Sequence, residues 1–166
     1  MTKWAYDEDR TYHGVWDRGT GESWIEAELA EYGPTERLKV IVLRRLEPTG
    51  EMAYRVGEMG WGYNGGGTSA AASAILADAL GQEPSSELRE AFCEDVLSQF
   101  MDEWRLRRGA VLRWVRGWCA QHNVTDLPDV VAQLPPVDSY KYGERPAAVT
   151  EQQHRRVSGK PGRPIR

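Results

Sequence analysis

The chain has 166 residues, a mass of 18.8 kDa, 40% hydrophobic and 28% charged residues, and a formal net charge of −4. This size is typical of one ordinary domain with sequence to spare and exceeds that of a small disulfide-stapled scaffold. Residues 151–166 carry five basic residues and one acidic residue, which leaves −8 for the other 150. An acidic body with a basic end argues against a uniformly basic nucleic-acid-binding domain.

Strands are predicted in the first third of the chain. Tyr12–Trp16 is a short candidate, and Trp24–Leu29 alternates so that Ile25, Ala27 and Leu29 share a face. Leu38–Leu43 is rich in β-branched residues. Met52–Val56 follows a Pro-Thr-Gly turn, which predicts a hairpin over 38–56.

Three helices are predicted next, over about 69–80, 87–103 and 109–122. We expect Gly81 to end the first helix and Ser86 to cap the second, whose apolar stripe runs from Leu88 to Trp104. Strands followed by helices in blocks predict an α+β fold. The expected architecture is a small antiparallel sheet of three to four strands, covered on one face by three helices.

A tail is predicted after the body. Six of nine prolines and none of the tryptophans lie after residue 123, so the body is expected over 1–122 and a flexible tail over 123–166. Leu127, Val130, Val131 and Leu134 predict one short helix near 127–134, capped by Thr125 or Asp126.

The densest feature is a glycine loop, with six glycines among residues 57–67 before an alanine-rich helix. Such a loop can cradle a phosphate, but it lacks the lysine of a Walker motif and the parallel βαβ context of a dinucleotide site. The structural alternative is a turn in which Thr68 or Ser69 caps the helix and Trp61 and Tyr63 pack on the core. The candidate ligand- or partner-binding residues are Trp61, Gly62, Tyr63, Asn64, Gly65, Gly66, Gly67 and Thr68.

The run Trp61–Thr68, followed by Ala74–Asp78, resembles an uncharacterised domain family of phages and bacteria whose signature reads W-G-Y-G-G-S-G-P. Tyr12 and Gly14 resemble its opening Y-x-G, and Trp104 and Leu106 its W-x-L. Asn64 replaces a glycine of that signature, and Thr68 replaces its proline. The resemblance covers most of 11–118 and implies a small accessory protein of phage or mobile-element origin, without an activity to carry over.

Two arginine-rich segments are candidates for nucleic-acid binding. Residues 104–125 hold five arginines and no acidic residue, and pairing with the acidic second helix is the favoured explanation over nucleic-acid binding. Lys160–Pro164 resembles an AT-hook in which a proline replaces the first arginine. A DNA-binding tail would use Arg155, Arg156, Lys160 and Arg163; a solubilising tail is the alternative.

The sequence shows no catalytic constellation, and His13, His122 and His154 have no metal-ligand spacing, so no catalytic residue, metal or cofactor is predicted. The absence of a membrane span and of a signal-peptide core predicts a cytoplasmic protein. Cys93 and Cys119 are expected to be buried free thiols. The leading hypothesis is an accessory protein that binds a macromolecular partner, most simply a protein, through the loop at Trp61 and Tyr63.

Overall fold

The computed structural model describes residues 10–32 and 38–135. Its sheet has four antiparallel strands, β1 (Arg10–Trp16), β2 (Ser23–Tyr32), β3 (Leu38–Arg45) and β4 (Trp104–Arg107), in the order β3-β2-β1-β4. The helices are α1 (Gly66–Leu80), α2 (Ser86–Asp95), α3 (Arg108–Gln121) and α4 (Asp129–Ala132), with 3₁₀ helices at Gly50–Arg55 and Leu97–Gln99. The predicted α+β class with a small antiparallel sheet is confirmed.

Helix α1 lies at the centre of the core. Twelve of its 15 residues are buried, and most of them are alanine, serine, threonine or glycine. A helix that is buried nearly all round is typical of a central element, and small side chains let its neighbours approach closely. Its buried side chains share one hydrophobic core with Tyr12, Ile25 and Ala27 of the sheet, Phe92 of α2 and Val115 of α3.

The predicted hairpin over 38–56 is wrong. Strand β3 ends at Arg45, and Met52–Val56 is not a strand: a 3₁₀ helix spans Gly50–Arg55. Thr49 fixes this segment against α1, because its N–H donates to Ser73 Oγ at 3.1 Å. The helical turn places Met52 against the core and leaves Tyr54 exposed, whereas a strand would direct these two residues, which are two positions apart, to the same face.

The true fourth strand is β4, which pairs antiparallel with β1. The prediction of one helix over 87–103 is wrong because α2 ends at Asp95 and the chain becomes extended by Phe100. Trp104 therefore lies on a strand and not on a helical stripe. The burial of residues 104–107 alternates as in a strand, since Trp104 and Leu106 are partly buried while Arg105 and Arg107 are exposed.

Three helix starts also differ from expectation. Helix α1 begins at Gly66 with Gly65 as its N-cap, three residues before the predicted start. Ser85, and not Ser86, caps α2, accepting a hydrogen bond from the Leu88 N–H at 3.2 Å. Helix α4 is one turn long, with Pro128 as its N-cap residue in place of Thr125 or Asp126. The predicted end of α1 is confirmed: Gly81 adopts φ +69° and donates to the Ala77 carbonyl.

The described residues up to Leu134 form one compact unit, in which Val131 and Leu134 are buried. Most of the predicted tail, residues 136–166, lies outside the described residues, and with it Arg155, Arg156, Lys160 and Arg163. In the described part of the chain, no helix combines the length and apolar character needed to cross a membrane.

Candidate functional site

The glycine loop connects the 3₁₀ helix at Gly50–Arg55 with α1 and is folded onto itself. Gly60 N–H donates to the Gly67 carbonyl at 3.1 Å, and Gly62 N–H donates to the Leu97 carbonyl at 3.0 Å. Thr68 does not cap the helix, because its hydroxyl donates to the Tyr63 carbonyl at 2.7 Å. Two backbone donors of the loop are thus used within the protein and are not available to a phosphate.

Two of the loop glycines are required by space or conformation. Gly62 has φ +84°, and a Cβ there would lie 2.9 Å from the Phe100 carbonyl oxygen. A Cβ on Gly67 would lie 2.2 Å from the Tyr63 hydroxyl and 2.6 Å from the Glu58 carbonyl oxygen. The glycines therefore let the loop close tightly around the Tyr63 side chain.

Trp61 is anchored to the segment before β4. Its Nε1–H donates to the Asp102 carbonyl at 2.7 Å, and its ring meets the Trp104 ring edge-on at a centroid distance of 5.3 Å. Asp102 itself has φ +51°, an uncommon conformation for a residue other than glycine. Trp61 thus ties the glycine loop to the chain around Asp102, and its ring is partly buried.

Asn64 connects the loop with α2. The Cys93 thiol donates to Asn64 Oδ1 at 3.3 Å. Burial, with a contribution from the Glu90 carboxylate, raises the pKa of the Cys93 thiol. Burial also raises the pKa of Cys119. Both cysteines are buried and free, as predicted, and a raised pKa disfavours the reactive thiolate.

An open groove of about 550 Å³ lies beside the loop. Three segments line it: the turn between β1 and β2, the loop over 57–63, and residues 100–102. Three large side chains in this lining are unusually exposed, at 40% for Trp16, 51% for Tyr63 and 79% for Met101. Trp61 and Phe100 contribute further aromatic surface.

The charged side chains of the groove lining are acidic, namely Glu22, Glu58 and Asp102. Arg18 lies 3.8 Å from Asp102, and Arg55 pairs with Glu58 at 3.1 Å. Both pairs involve exposed carboxylates, so they are weak and can exchange partners. The groove thus combines exposed aromatic and thioether surface with carboxylates.

The sequence-predicted loop residues divide into two groups. Tyr63 lines the groove and is half-exposed, whereas Thr68 is fully buried in α1 and Gly67 is buried beneath Tyr63. Trp16, Met101 and Asp102 line the same groove but are distant in sequence, so the loop pattern alone could not identify them. In the sequence, Trp16 and Met101 are marked only as large apolar residues next to a charged residue. This pattern is too common in proteins to identify a binding site.

Arg105 of β4 does not lie as the sequence predicted. Arg105 pairs with Glu28 of β2 at 3.3 Å and not with α2. Arg108 is buried and donates to the Ala79 carbonyl near the end of α1 at 2.8 Å. Both guanidinium groups are thus engaged by the protein itself.

The geometry describes a small α+β domain with an aromatic groove beside a glycine loop. The chain matches a family of unknown function (DUF6166) over residues 12–117 and belongs to that family. Neither a curated protein nor a solved structure matches the chain. The match includes the loop, Trp16 and residues 100–102, so the whole groove lies within the family domain.

Proposed function

We propose that this protein binds an extended segment of another protein in the groove beside the glycine loop. The observation that carries this proposal is the convergence of three exposed side chains, Trp16, Tyr63 and Met101, from three separate segments. Aromatic residues and methionine are enriched at protein interfaces, where their burial supplies much of the binding energy.

The chemistry of the groove specifies the kind of segment. The rings of Trp61 and Phe100 offer an apolar contact surface for one large side chain. The carboxylates of Glu22, Glu58 and Asp102 favour a lysine or arginine beside it, because opposite charges steer and orient association. The expected ligand is therefore an extended peptide with a large apolar residue next to a basic residue.

The resemblance of Trp61–Thr68 to the phage and bacterial signature supports an accessory role of phage or mobile-element type. Such a protein would act in the cytoplasm, the host's where it is phage-encoded. A peptide-binding groove suits that role because it needs no catalytic constellation.

Selection from a random peptide display library tests the proposal. Peptides enriched on the protein should share an apolar residue beside a basic one. Binding of the selected peptides, measured by fluorescence anisotropy, should weaken at least about tenfold in Tyr63→Ala and Met101→Asp, since hot-spot side chains contribute 2 kcal/mol or more. Tyr54→Ala is the matched control, because Tyr54 is exposed but is not among the groove residues.

Trp61→Ala is a poorer test, because it also removes the hydrogen bond to Asp102 and the ring contact with Trp104. Failure to enrich any peptide, or enrichment of peptides that bind Tyr63→Ala and Met101→Asp as well as the unaltered protein, would overturn the proposal.

Phosphate or nucleotide binding at Gly60–Ser69 is a second candidate, favoured by one contact. The Arg55 guanidinium lies over Gly66 at the start of α1, where a Cβ would be 2.5 Å from Arg55 Cζ. The internal hydrogen bonds of Gly60 and Gly62 argue against it. Thermal unfolding with millimolar phosphate or nucleotide decides it: a rise in Tm that Arg55→Gln abolishes supports the site, and an unchanged Tm excludes it.

DNA binding by Arg155, Arg156, Lys160 and Arg163 stays a prediction. If the tail tethers DNA, removal of residues 151–166 abolishes a salt-sensitive affinity for duplex DNA. Equal DNA binding with and without these residues, measured by fluorescence anisotropy, would leave the solubilising role.

A further inference from the structure

The face of the sheet opposite the helices carries a cluster of one histidine and two glutamates. His13 of β1 lies directly across from Glu26 of β2, and Glu28 follows on the same face. One potential ligand atom of each side chain lies within 4.8 Å of the other two. His13 and Glu28 are only 9% and 3% exposed, which is unusual for polar residues on a face without helices.

Neighbouring side chains orient two of these groups. His13 Nε2 lies 3.3 Å from Glu103 Oε2; in the tautomer that carries its proton on Nε2, this N–H donates to that carboxylate and the Nδ1 lone pair can accept a metal ion. His13 Nδ1 lies 2.9 Å from Glu28 Oε1. The Trp24 Nε1–H donates to Glu26 Oε1 at 2.9 Å, which leaves the second oxygen of Glu26 available.

This geometry points to a divalent transition-metal site formed by His13, Glu26 and Glu28, with zinc as the best-fitting ion. Imidazole nitrogen and carboxylate oxygen bind Zn²⁺ at about 2.0–2.2 Å, so adjacent ligand atoms are about 3 Å apart, as His13 Nδ1 and Glu28 Oε1 are. A carboxylate behind the ligating histidine, the position of Glu103, is the usual outer partner at such sites. Imidazole favours zinc over magnesium or calcium, and water completes the coordination.

Arg105 is the competitor for this site. Its Nε lies 3.3 Å from Glu28 Oε1 and its Nη2 lies 3.4 Å from His13 Nδ1. A guanidinium and a metal ion cannot occupy the same position beside Glu28, because they would overlap and their positive charges would repel each other. The Arg105 side chain is more than half exposed, so it can move into water at small cost when a metal binds.

The experiment is a zinc titration of the full chain after treatment with a chelator, followed by calorimetry and thermal unfolding. We expect one zinc per chain and a Tm that rises with zinc concentration. Glu26→Gln should weaken binding at least about tenfold, as should His13→Gln, because each removes a ligand. Glu47→Gln is the control, since Glu47 is exposed and outside the cluster.

Arg105→Gln distinguishes a metal site from a simple network of ion pairs. A metal site should bind zinc more tightly once the competing guanidinium is removed. The absence of stoichiometric zinc binding by both the unaltered chain and Arg105→Gln would overturn the inference. So would zinc binding that Glu26→Gln and His13→Gln leave unchanged, because the metal would then bind elsewhere.

Cobalt(II) provides a second measurement that does not depend on the folding of His13→Gln. A histidine and carboxylate ligand set gives weak visible bands, which Glu26→Gln should alter. Intense thiolate-to-metal absorption would instead assign the ion to Cys93 or Cys119 and overturn the inference. Glu26 is partly exposed, so its substitution preserves the core.

Discussion

Gly14 is the position in β1 where the indole of Trp104 crosses the backbone. Gly14 pairs with Trp104 of β4, and a Cβ at this position would lie 2.2 Å from Trp104 Cε2. Close approach of a ring, and not an unusual φ, is therefore what requires glycine here. The contact places Trp104 against Trp61 and so supports the groove.

Gly14→Ala should lower the free energy of unfolding by about 1–3 kcal/mol, because the added methyl group forces Trp104 out of place. Gly117→Ala is the matched control: a Cβ there meets nothing within 4 Å, and alanine should stabilise helix α3 by about 0.5–1 kcal/mol. Urea unfolding measures both. Equal stabilities of the two variants would contradict the close contact of Trp104 with Gly14.

Asp78 of α1 binds the sheet to the helix layer. It accepts hydrogen bonds from Tyr12 Oη at 2.7 Å, from Arg10 at 2.9 Å and from Arg44. Burial alone would raise the pKa of Asp78, but these hydrogen bonds outweigh it and lower the pKa from its usual 3.8. Burial beside Asp78 raises the pKa of Tyr12 far above its ordinary value.

The sign of the pH dependence follows from this lowered pKa. Because the carboxylate is favoured in the folded state, Asp78 stabilises the fold above pH 3.8, and this contribution is lost as the pH falls through the folded-state pKa. Asp78→Asn should cost about 1.5–3 kcal/mol at pH 7 and flatten the loss of stability below about pH 4. Urea unfolding at several pH values measures both effects, with exposed Asp126→Asn as the control.

Among the elements, β2 shows how far a strand pattern predicts burial. Ile25 and Ala27, two of the three residues predicted to share a face, are fully buried, whereas Leu29, which follows the irregularity at Ala27/Glu28, is only partly buried. The 3₁₀ helix at Gly50–Arg55 shows where a local pattern fails, since this segment lies against α1, where the Thr49 N–H donates to Ser73 Oγ. β4 was missed because four residues are too few to establish a period, and only pairing with β1 makes them a strand.

The start of α2 provides a test at the level of one element. Ser85 Oγ accepts the Leu88 N–H, so Ser85→Ala should destabilise the protein by about 1 kcal/mol. Ser86 is the first residue of the helix and is exposed, so Ser86→Ala should change stability by no more than about 0.5 kcal/mol. Thermal unfolding of the two variants compares them directly, and the reverse order would place the cap at Ser86.

In the whole molecule, α4 joins the same compact unit as the sheet and the longer helices. Val131 is 1% exposed and belongs to the main hydrophobic cluster, although it lies beyond the predicted boundary at residue 122. A single helical turn is unstable by itself, so its contacts with α3 and α1 must maintain it.

Val131→Ala should therefore lower the stability of the whole domain by about 1–3 kcal/mol in one cooperative transition. Val124→Ala is the control, because Val124 is partly exposed and its truncation should cost less. Two separate transitions, or equal effects of the two substitutions, would show that α4 contributes little to the core.

The sequence by itself determined the α+β class, the position of β1, β2 and β3 before the helices, the end of α1 at Gly81 and the burial of Cys93 and Cys119. These features follow from periodicity, glycine conformation and hydrophobicity, which are local properties. The sequence also located the glycine loop, because six glycines in eleven residues identify a loop without any knowledge of tertiary contacts.

Tertiary structure decided which side chains meet. Pairing of β1 with β2 and β4 brings His13, Glu26 and Arg105 into one row, although they are up to 92 positions apart. Folding likewise places Trp16 and Met101 beside Tyr63. Such contacts depend on strand register and on the packing of α1, and a linear sequence pattern contains neither. Both the groove and the histidine cluster could therefore be identified only from the tertiary structure.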